Sequence, residues 1–201
     1  MWWTLTALAG PPAWSVDDGE VVQVLTDDDG QLAGVRALGR IDAPIHDVWQ
    51  VLIDFDHHED WLPMIGRTDV TAIEGSTYTV DFVVQVPGPN MRFSCDWVVD
   101  ASTHSMRAVG ARGSLEGGVW SWTLHDAGDH TLVERVTEAS AMVDSWILRQ
   151  FDDDARTLQL GINVTSPLVE VLGLRQEVLR RRATAPASTE PPAAPASPAP
   201  R

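Results

Sequence analysis

The sequence predicts an α+β fold: a curved antiparallel β-sheet wrapped around a C-terminal helix, a helix-grip arrangement, with two short helices after the early strands. Three observations predict it. Apolar and polar residues alternate with period two through the middle of the chain. Short turn signals separate the alternating runs, so consecutive strands form an antiparallel meander with one apolar face. The C-terminal part changes to helical spacing, and a sheet with one apolar face needs such a cover.

The chain has 201 residues, 14 basic and 29 acidic, for a formal net charge of −15. Every basic residue is arginine. A hydrophobic content of 44% is ordinary for a globular protein and excludes global disorder. The length suits one domain with terminal extensions. We expect an N-terminal segment over 1–19, the domain over 20–183, and a disordered tail over 184–201, where TAPASTEPPAAPASPAPR holds almost nothing to bury. The single cysteine, Cys95, excludes an internal disulfide framework and a multi-cysteine zinc site. The acidic balance argues against nucleic acid or an anionic membrane surface as partner. No apolar run reaches the ~20 residues that span a bilayer, so no integral membrane association is expected. Met1–Gly10 offers an Ala7-Leu8-Ala9 step like a signal cleavage site. It has no basic start and only a short apolar part, so it reads instead as a short N-terminal helix of a cytoplasmic protein.

In chain order, strands are expected over Glu20–Thr26 and Leu32–Ile41, joined by the turn Asp27-Asp28-Asp29-Gly30. Asp42-Ala43-Pro44 then provides an N-cap candidate and a proline at a helix start, followed by Val48, Trp49, Leu52 and Ile53 at helical spacing. A second short helix is expected over His57–Leu62, ended by Pro63. Tyr78, Val80, Phe82, Val84 and Val86 share one face of the next strand. Met91, Phe93, Cys95, Trp97 and Val99 share one face of another. A strand spans about Thr103–Ala111, then Trp120, Trp122 and Leu124 alternate with polar residues, and a last strand runs over Thr131–Glu138. Val143, Trp146, Ile147, Gln150, Phe151, Ala155 and Leu158 fall near one helical stripe, and Leu168–Arg182 forms a second amphipathic run. Gly161 and the Ser166-Pro167 step are expected to break the two apart.

The segment Arg40–Phe55, RIDAPIHDVWQVLIDF, is similar to the opening of the START-like (SRPBCC) superfamily in its polyketide cyclase and coenzyme Q-binding branches. There a strand ends in I-x-A-P, V-W-x-V-L-x-D follows, and an aromatic stretch leads to W-x-P, supplied here by Trp61-Leu62-Pro63. In element order the resemblance covers residues 20–182. It implies the helix-grip fold. It leaves chemistry open, because the superfamily hosts lipid carriers, receptors, cyclases and oxygenase subunits.

The residues themselves narrow the chemistry. Asp54-Phe55-Asp56-His57-His58-Glu59-Asp60 is rich in metal-ligand types but has no ligand spacing, and reads as a solvated loop and helix start. Asp152-Asp153-Asp154 reads as the wet face of a helix. Cys95 reads as a small buried hydrophobe. No nucleophile elbow, phosphate-binding loop or dinucleotide fingerprint is present, and no cofactor or metal is expected. The expected ligand-binding residues are the inward-facing Phe82, Val84, Phe93, Trp97, Trp120 and Trp122, with Arg135 as a polar anchor, and Trp146 and Phe151 from the helical part. Grouped indoles bring large flat apolar surface. Arg135 and Glu134 point to opposite sides of one strand, so one of them faces the cavity. Arg135 and Arg107 are each open to a ligand role or to a structural pair with Glu116 or Glu138.

Three functions are compatible. The preferred one is binding of a small hydrophobic molecule, such as a lipid, isoprenoid or polyketide, between sheet and C-terminal helix. The alternative is a polyketide cyclase or dehydratase type enzyme, for which His104, His125, Glu134 and Arg135 are the strand-borne acid/base candidates. The third, implied by a ribosome-acting branch of the superfamily, is an RNA-associated module. It ranks last, because Arg180–Arg182 is the only basic cluster.

Overall fold

The computed structural model describes residues 19–30, 32–85, 90–138 and the helix 155–184, with side chains of that helix at 161 and from 164 onward. The expected N-terminal segment up to 18 and the tail from 185 lie outside the described residues, as do Val86, Trp146, Phe151 and the Asp152–Asp154 run.

Among the described residues, eight strands form one antiparallel sheet: β1 (Val21–Thr26), β2 (Leu32–Ile41), β3 (Ile65–Glu74), β4 (Thr77–Val84), β5 (Met91–Asp100), β6 (Ser105–Gly113), β7 (Trp120–Asp126) and β8 (Thr131–Glu138). Their spatial order is β1-β2-β8-β7-β6-β5-β4-β3. The meander from β3 to β8 folds back so that its last strand pairs with β2, placing Ile41 opposite Thr131 and Ala37 opposite Arg135. Register puts Ala37, Arg135 and Trp122 in one cross-strand row on the concave face. Tyr78, Trp97 and Ala108 make another.

β3 has no counterpart among the expected strands. Its register shifts twice, between Ile65 and Arg67 and between Val70 and Ala72, so its inward residues never fall into a clean alternation. The strand expected over Thr103–Ala111 lies two residues later, as Ser105–Gly113. Gly110, at φ 60°, sits where the β5–β6 register slips, a left-handed position that favours glycine.

The first helix, α1 (Ile45–Leu52), buries Val48, Trp49, Val51 and Leu52. Pro44 occupies the N-cap position, with no side-chain cap. Asp42, the expected cap, instead accepts a hydrogen bond from Arg40 Nε at 2.7 Å. The second short helix is a 3-10 segment over Phe55–Asp60, two residues earlier than the composition suggested. It does not read as solvated throughout. Phe55 and His58 point inward and are buried, because His58 closes the segment onto α1 through Nε2 and the Leu52 carbonyl, 2.9 Å apart. Glu59 ties it to β3 by accepting from the Thr68 amide at 3.0 Å and from the Thr68 hydroxyl.

The C-terminal helix, α2, runs unbroken from Ala155 to Thr184. The expected break at Gly161–Pro167 does not occur. An interior proline costs ~3 kcal/mol through a lost amide donor and a clash one turn back. Here Pro167 is itself buried and begins the stripe Pro167, Val171, Leu174 and Val178, which packs on β2, β8 and α1. Thr165 also donates its hydroxyl to the Gly161 carbonyl, 2.8 Å away.

Two glycines let α2 sit this close. A Cβ on Gly173 would meet the Trp61 carbonyl oxygen at 2.3 Å, and one on Gly39 of β2 would meet Val171 at 2.6 Å. No helix among the described residues is long and apolar enough to cross a membrane.

Two outcomes follow from these contacts. Gly173→Val should lower the unfolding free energy read from urea titration by about 1–3 kcal/mol, because a backbone carbonyl blocks the new side chain. Gly161→Ala, where nothing lies within 4 Å, should instead gain about 0.5–1 kcal/mol. The second outcome concerns pH. Burial lowers the His58 pKa from 6.5 to about 4 in the folded state. Between those values the unfolded chain binds the extra proton, so stability falls as pH drops from 6.5 towards 4, by at most ~1.4 kcal/mol per unit. Urea titrations across that window should show the slope in the parent and a flatter one in His58→Gln.

Candidate ligand-binding site

The concave face carries an aromatic ladder across three strands. Phe82 on β4 stacks on Phe93 on β5, with ring centroids 4.8 Å apart and planes 10° from parallel. Trp120 on β7 follows at 5.7 Å from Phe93. Period-two alternation puts these rings on the inward side, and direct β4–β5 pairing brings Phe82 opposite Phe93. Phe82 and Val84 are buried, whereas Phe93 and Trp120 are half-buried and keep accessible ring surface.

Deeper along the same face, Trp97 and Trp122 are buried under a plug from the helical connection. Phe55 lies 6.0 Å from Trp97 and Trp61 lies 6.0 Å from Trp122. Neither plug residue was marked as a site residue by the sequence. Only the W-x-P signature pointed at Trp61, and it did so for the fold. The indole nitrogens of Trp61 and Trp97 and Nδ1 of His58 are buried without a hydrogen-bond partner among the described residues.

The register settles which charge faces inward. Arg135 lies on the concave face, 4% exposed, with its guanidinium carbon 4.9 Å from the Trp122 ring centroid. It pairs with neither Glu116 nor Glu138. Its Nε donates to Glu170 of α2, and Nη1 donates to the carbonyls of Val136 at 2.9 Å and Ser121 at 3.4 Å. Glu170 also accepts from the Ser166 hydroxyl at 3.0 Å. Sequence reasoning missed Glu170, which sits on the flank of an amphipathic run with no local feature linking it to a strand 35 residues earlier. Arg107 does pair with Glu138, at 2.7 Å on the outer face.

The acid/base candidates are dispersed. Glu134 and His125 lie on the outer face with Arg36, where the neighbouring His125 and Arg36 hold the Glu134 carboxyl below its ordinary range. His104 occupies a turn at φ 47° and packs edge-on against Trp49, 5.4 Å away. Burial pushes the Cys95 thiol up to about 12, which leaves it protonated at neutral pH. No group of three or more metal-ligating side chains converges among the described residues. The basic run Arg180–Arg182 is ion-paired, with Glu177, Asp54 and Asp47, while Arg180 and Arg182 remain exposed.

Described residues also bound two open cavities. One, of about 470 Å³, lies where the 3-10 segment meets α2, lined by Trp61, Gly173, Glu177 and Arg180 among others. The other, of about 510 Å³, lies at the β3–β6 end of the sheet. Its lining includes Phe82 and Phe93 of the ladder together with outer-face residues such as Arg67, Asp81, Arg92 and Arg112.

Comparison with known proteins agrees with this architecture. No curated protein sequence matches the chain. Among solved structures, the Zhui aromatase/cyclase from Streptomyces sp. R1128 superposes with a TM-score of 0.60 at 18% identity, covering 76% of this chain and 96% of that one. A STAR-related lipid transfer protein from Xanthomonas axonopodis gives 0.58 at 18% identity, covering 83% and 97%. Human STARD10 gives 0.58 at 10% identity, covering 85% and 73%. At these identities the likeness establishes the helix-grip fold. The family model described as polyketide cyclase / dehydrase and lipid transport matches residues 33–162, well over half of the sequence. The chain therefore belongs to the polyketide cyclase / dehydrase and lipid transport family of the START-like superfamily.

Proposed function

We propose that this protein binds a small hydrophobic ligand on the concave face of its sheet and carries or sequesters it without transforming it. The observation that carries the reading is the Phe82–Phe93–Trp120 ladder, in which Phe93 and Trp120 are only half-buried on an otherwise buried face. Three stacked or tilted rings spanning β4 to β7 match the flat or extended apolar body of a lipid, isoprenoid or polyketide. Arg135 adds one polar contact beside them, suited to a ligand oxygen.

Binding is favoured over catalysis by the placement of the titratable groups. A cyclase or dehydratase needs a proton-transferring group within hydrogen-bond reach of the ligand. Glu134 and His125 face away from the ladder, and His104 is held in a turn against Trp49. Among the described residues, Arg135 could polarise a carbonyl on the concave face, and the carboxylate beside it, Glu170, is tied up by Arg135 and Ser166. The family contains both lipid transport proteins and cyclases, so membership is compatible with either role.

Native mass spectrometry of protein purified from its host, followed by organic extraction, should release a hydrophobic species. Phe93→Ala and Trp120→Ala should each weaken rebinding of that species by about 1 kcal/mol, a roughly fivefold loss in affinity, without unfolding the protein. Recovery of a chemically altered product after incubation with the extracted ligand would replace the carrier reading with the enzymatic one.

A further inference from the structure

Building on that reading of the concave face, we infer that Glu170 sets the charge of the ligand, so that the site takes uncharged molecules bearing an acceptor oxygen and rejects carboxylates. Arg135 is the one charged side chain among the buried residues of the sheet. A lone buried arginine would recruit an anion, and its planar fork would grip a carboxylate with two parallel hydrogen bonds. That fork is already taken apart. Nε donates to Glu170, and Nη1 donates to the carbonyls of Val136 and Ser121. Nη2 has no partner among the described residues. Each two-pronged edge of a guanidinium needs Nη2 together with either Nε or Nη1, so neither edge is free as a pair. One nitrogen remains, with its two N–H groups but without a free neighbour to form a fork, and it suits the lone oxygen of a ketone, ester or hydroxyl better than the paired oxygens of a carboxylate.

Charge balance points the same way. The pair is electrically neutral, with side-chain exposures of 5% and 14%. A neutral ligand accepting from Nη2 leaves it neutral. A carboxylate there would place a second negative charge beside Glu170 in a poorly solvated setting, where like charges strongly disfavour each other. Glu170 cannot readily swing away, because its second oxygen is held by Ser166 one turn earlier on the same helix. Glu170 is thus a specificity-determining residue that acts through Arg135.

The test uses two fluorescent probes with the same ring system, 1-pyrenemethanol and 1-pyrenecarboxylate, titrated into the full chain at neutral pH. The parent should bind the alcohol at least about tenfold more tightly than the carboxylate. Glu170→Gln keeps the shape and an acceptor oxygen while uncovering the arginine charge, and should turn the preference towards the carboxylate. Because that change disturbs a buried pair, the double variant Arg135→Met with Glu170→Met provides a second arm. It replaces the pair by apolar side chains and should bring the two affinities within about twofold of each other. Equal binding of both probes by the parent, or an unchanged ratio in folded Glu170→Gln, overturns the charge rule and leaves the ligand site standing. Failure of the parent to bind either probe overturns the ligand site and the charge rule together.

Discussion

The structure depends on how closely α2 can approach the rest of the chain. Gly173 brings its backbone against the Trp61 carbonyl, and Gly39 leaves room for Val171 against β2. With the helix seated there, its polar residues reach fixed partners. Arg175 donates to the Arg40 carbonyl at 2.8 Å and pairs with Glu20, while Arg181 reaches Asp54 at 2.8 Å. Those contacts fix the start of the 3-10 segment, which carries Phe55 and His58 into the core. The same seating brings Glu170 over Arg135. A shift of one helical turn, about 5 Å, would separate that pair and lift Trp61 off Trp122.

Arginine is the sole basic residue of this acidic chain, and the structure shows how it is used. Arg36, Arg40, Arg67, Arg107 and Arg112 each face a carboxylate on the sheet, and Arg180 to Arg182 turn to Glu177, Asp54 and Asp47. Exposed pairs of this kind contribute little to stability individually. At the end of α2 the pairs offset the charge of all three arginines, while Arg180 and Arg182 stay substantially exposed. Arg135 differs in kind. A buried ion pair is often no more stable than apolar residues of the same volume. Its value in this fold lies in what it does to the polarity of the concave face.

Much of the architecture was legible because one rule governs it. Inward residues of β4, β5 and β7 alternate clearly in the sequence, so Phe82, Trp97 and Trp122 could be assigned to the inward face by parity alone. By contrast, β8 has Leu132 and Val136 on one parity and Val133 on the other, which left Arg135 and Glu134 undecided until pairing with β2 and β7 fixed the register. β3 escaped because two register shifts spoil parity within ten residues. Pro167 misled because a local penalty was weighed without the packing that offsets it, and burial along Val171, Leu174 and Val178 exists only after the helix has docked. His58 is a similar case. Its neighbours Asp56, His57 and Glu59 are exposed, and a 3-10 segment has no long periodicity from which to single out the inward residue. The ladder was readable as a set of rings, but its order was not, since that needs strand pairing. Glu170 was unreadable in principle, because nothing within its own helix distinguishes it from Glu177, which binds arginines on α2 itself.

The pairing of β2 with β8 has a kinetic side. β1 and β2 are made before the other described strands, yet β2 finds its second neighbour only when β8 has been made. Contacts of such high sequence separation slow folding, since the connecting chain must be ordered before they form. Until then Val35, Ala37 and Ile41 lack the row that completes their side of the core. β8 is therefore the closing step of assembly: it joins an early hairpin to a finished meander, and it delivers Arg135 to the concave face at the same moment.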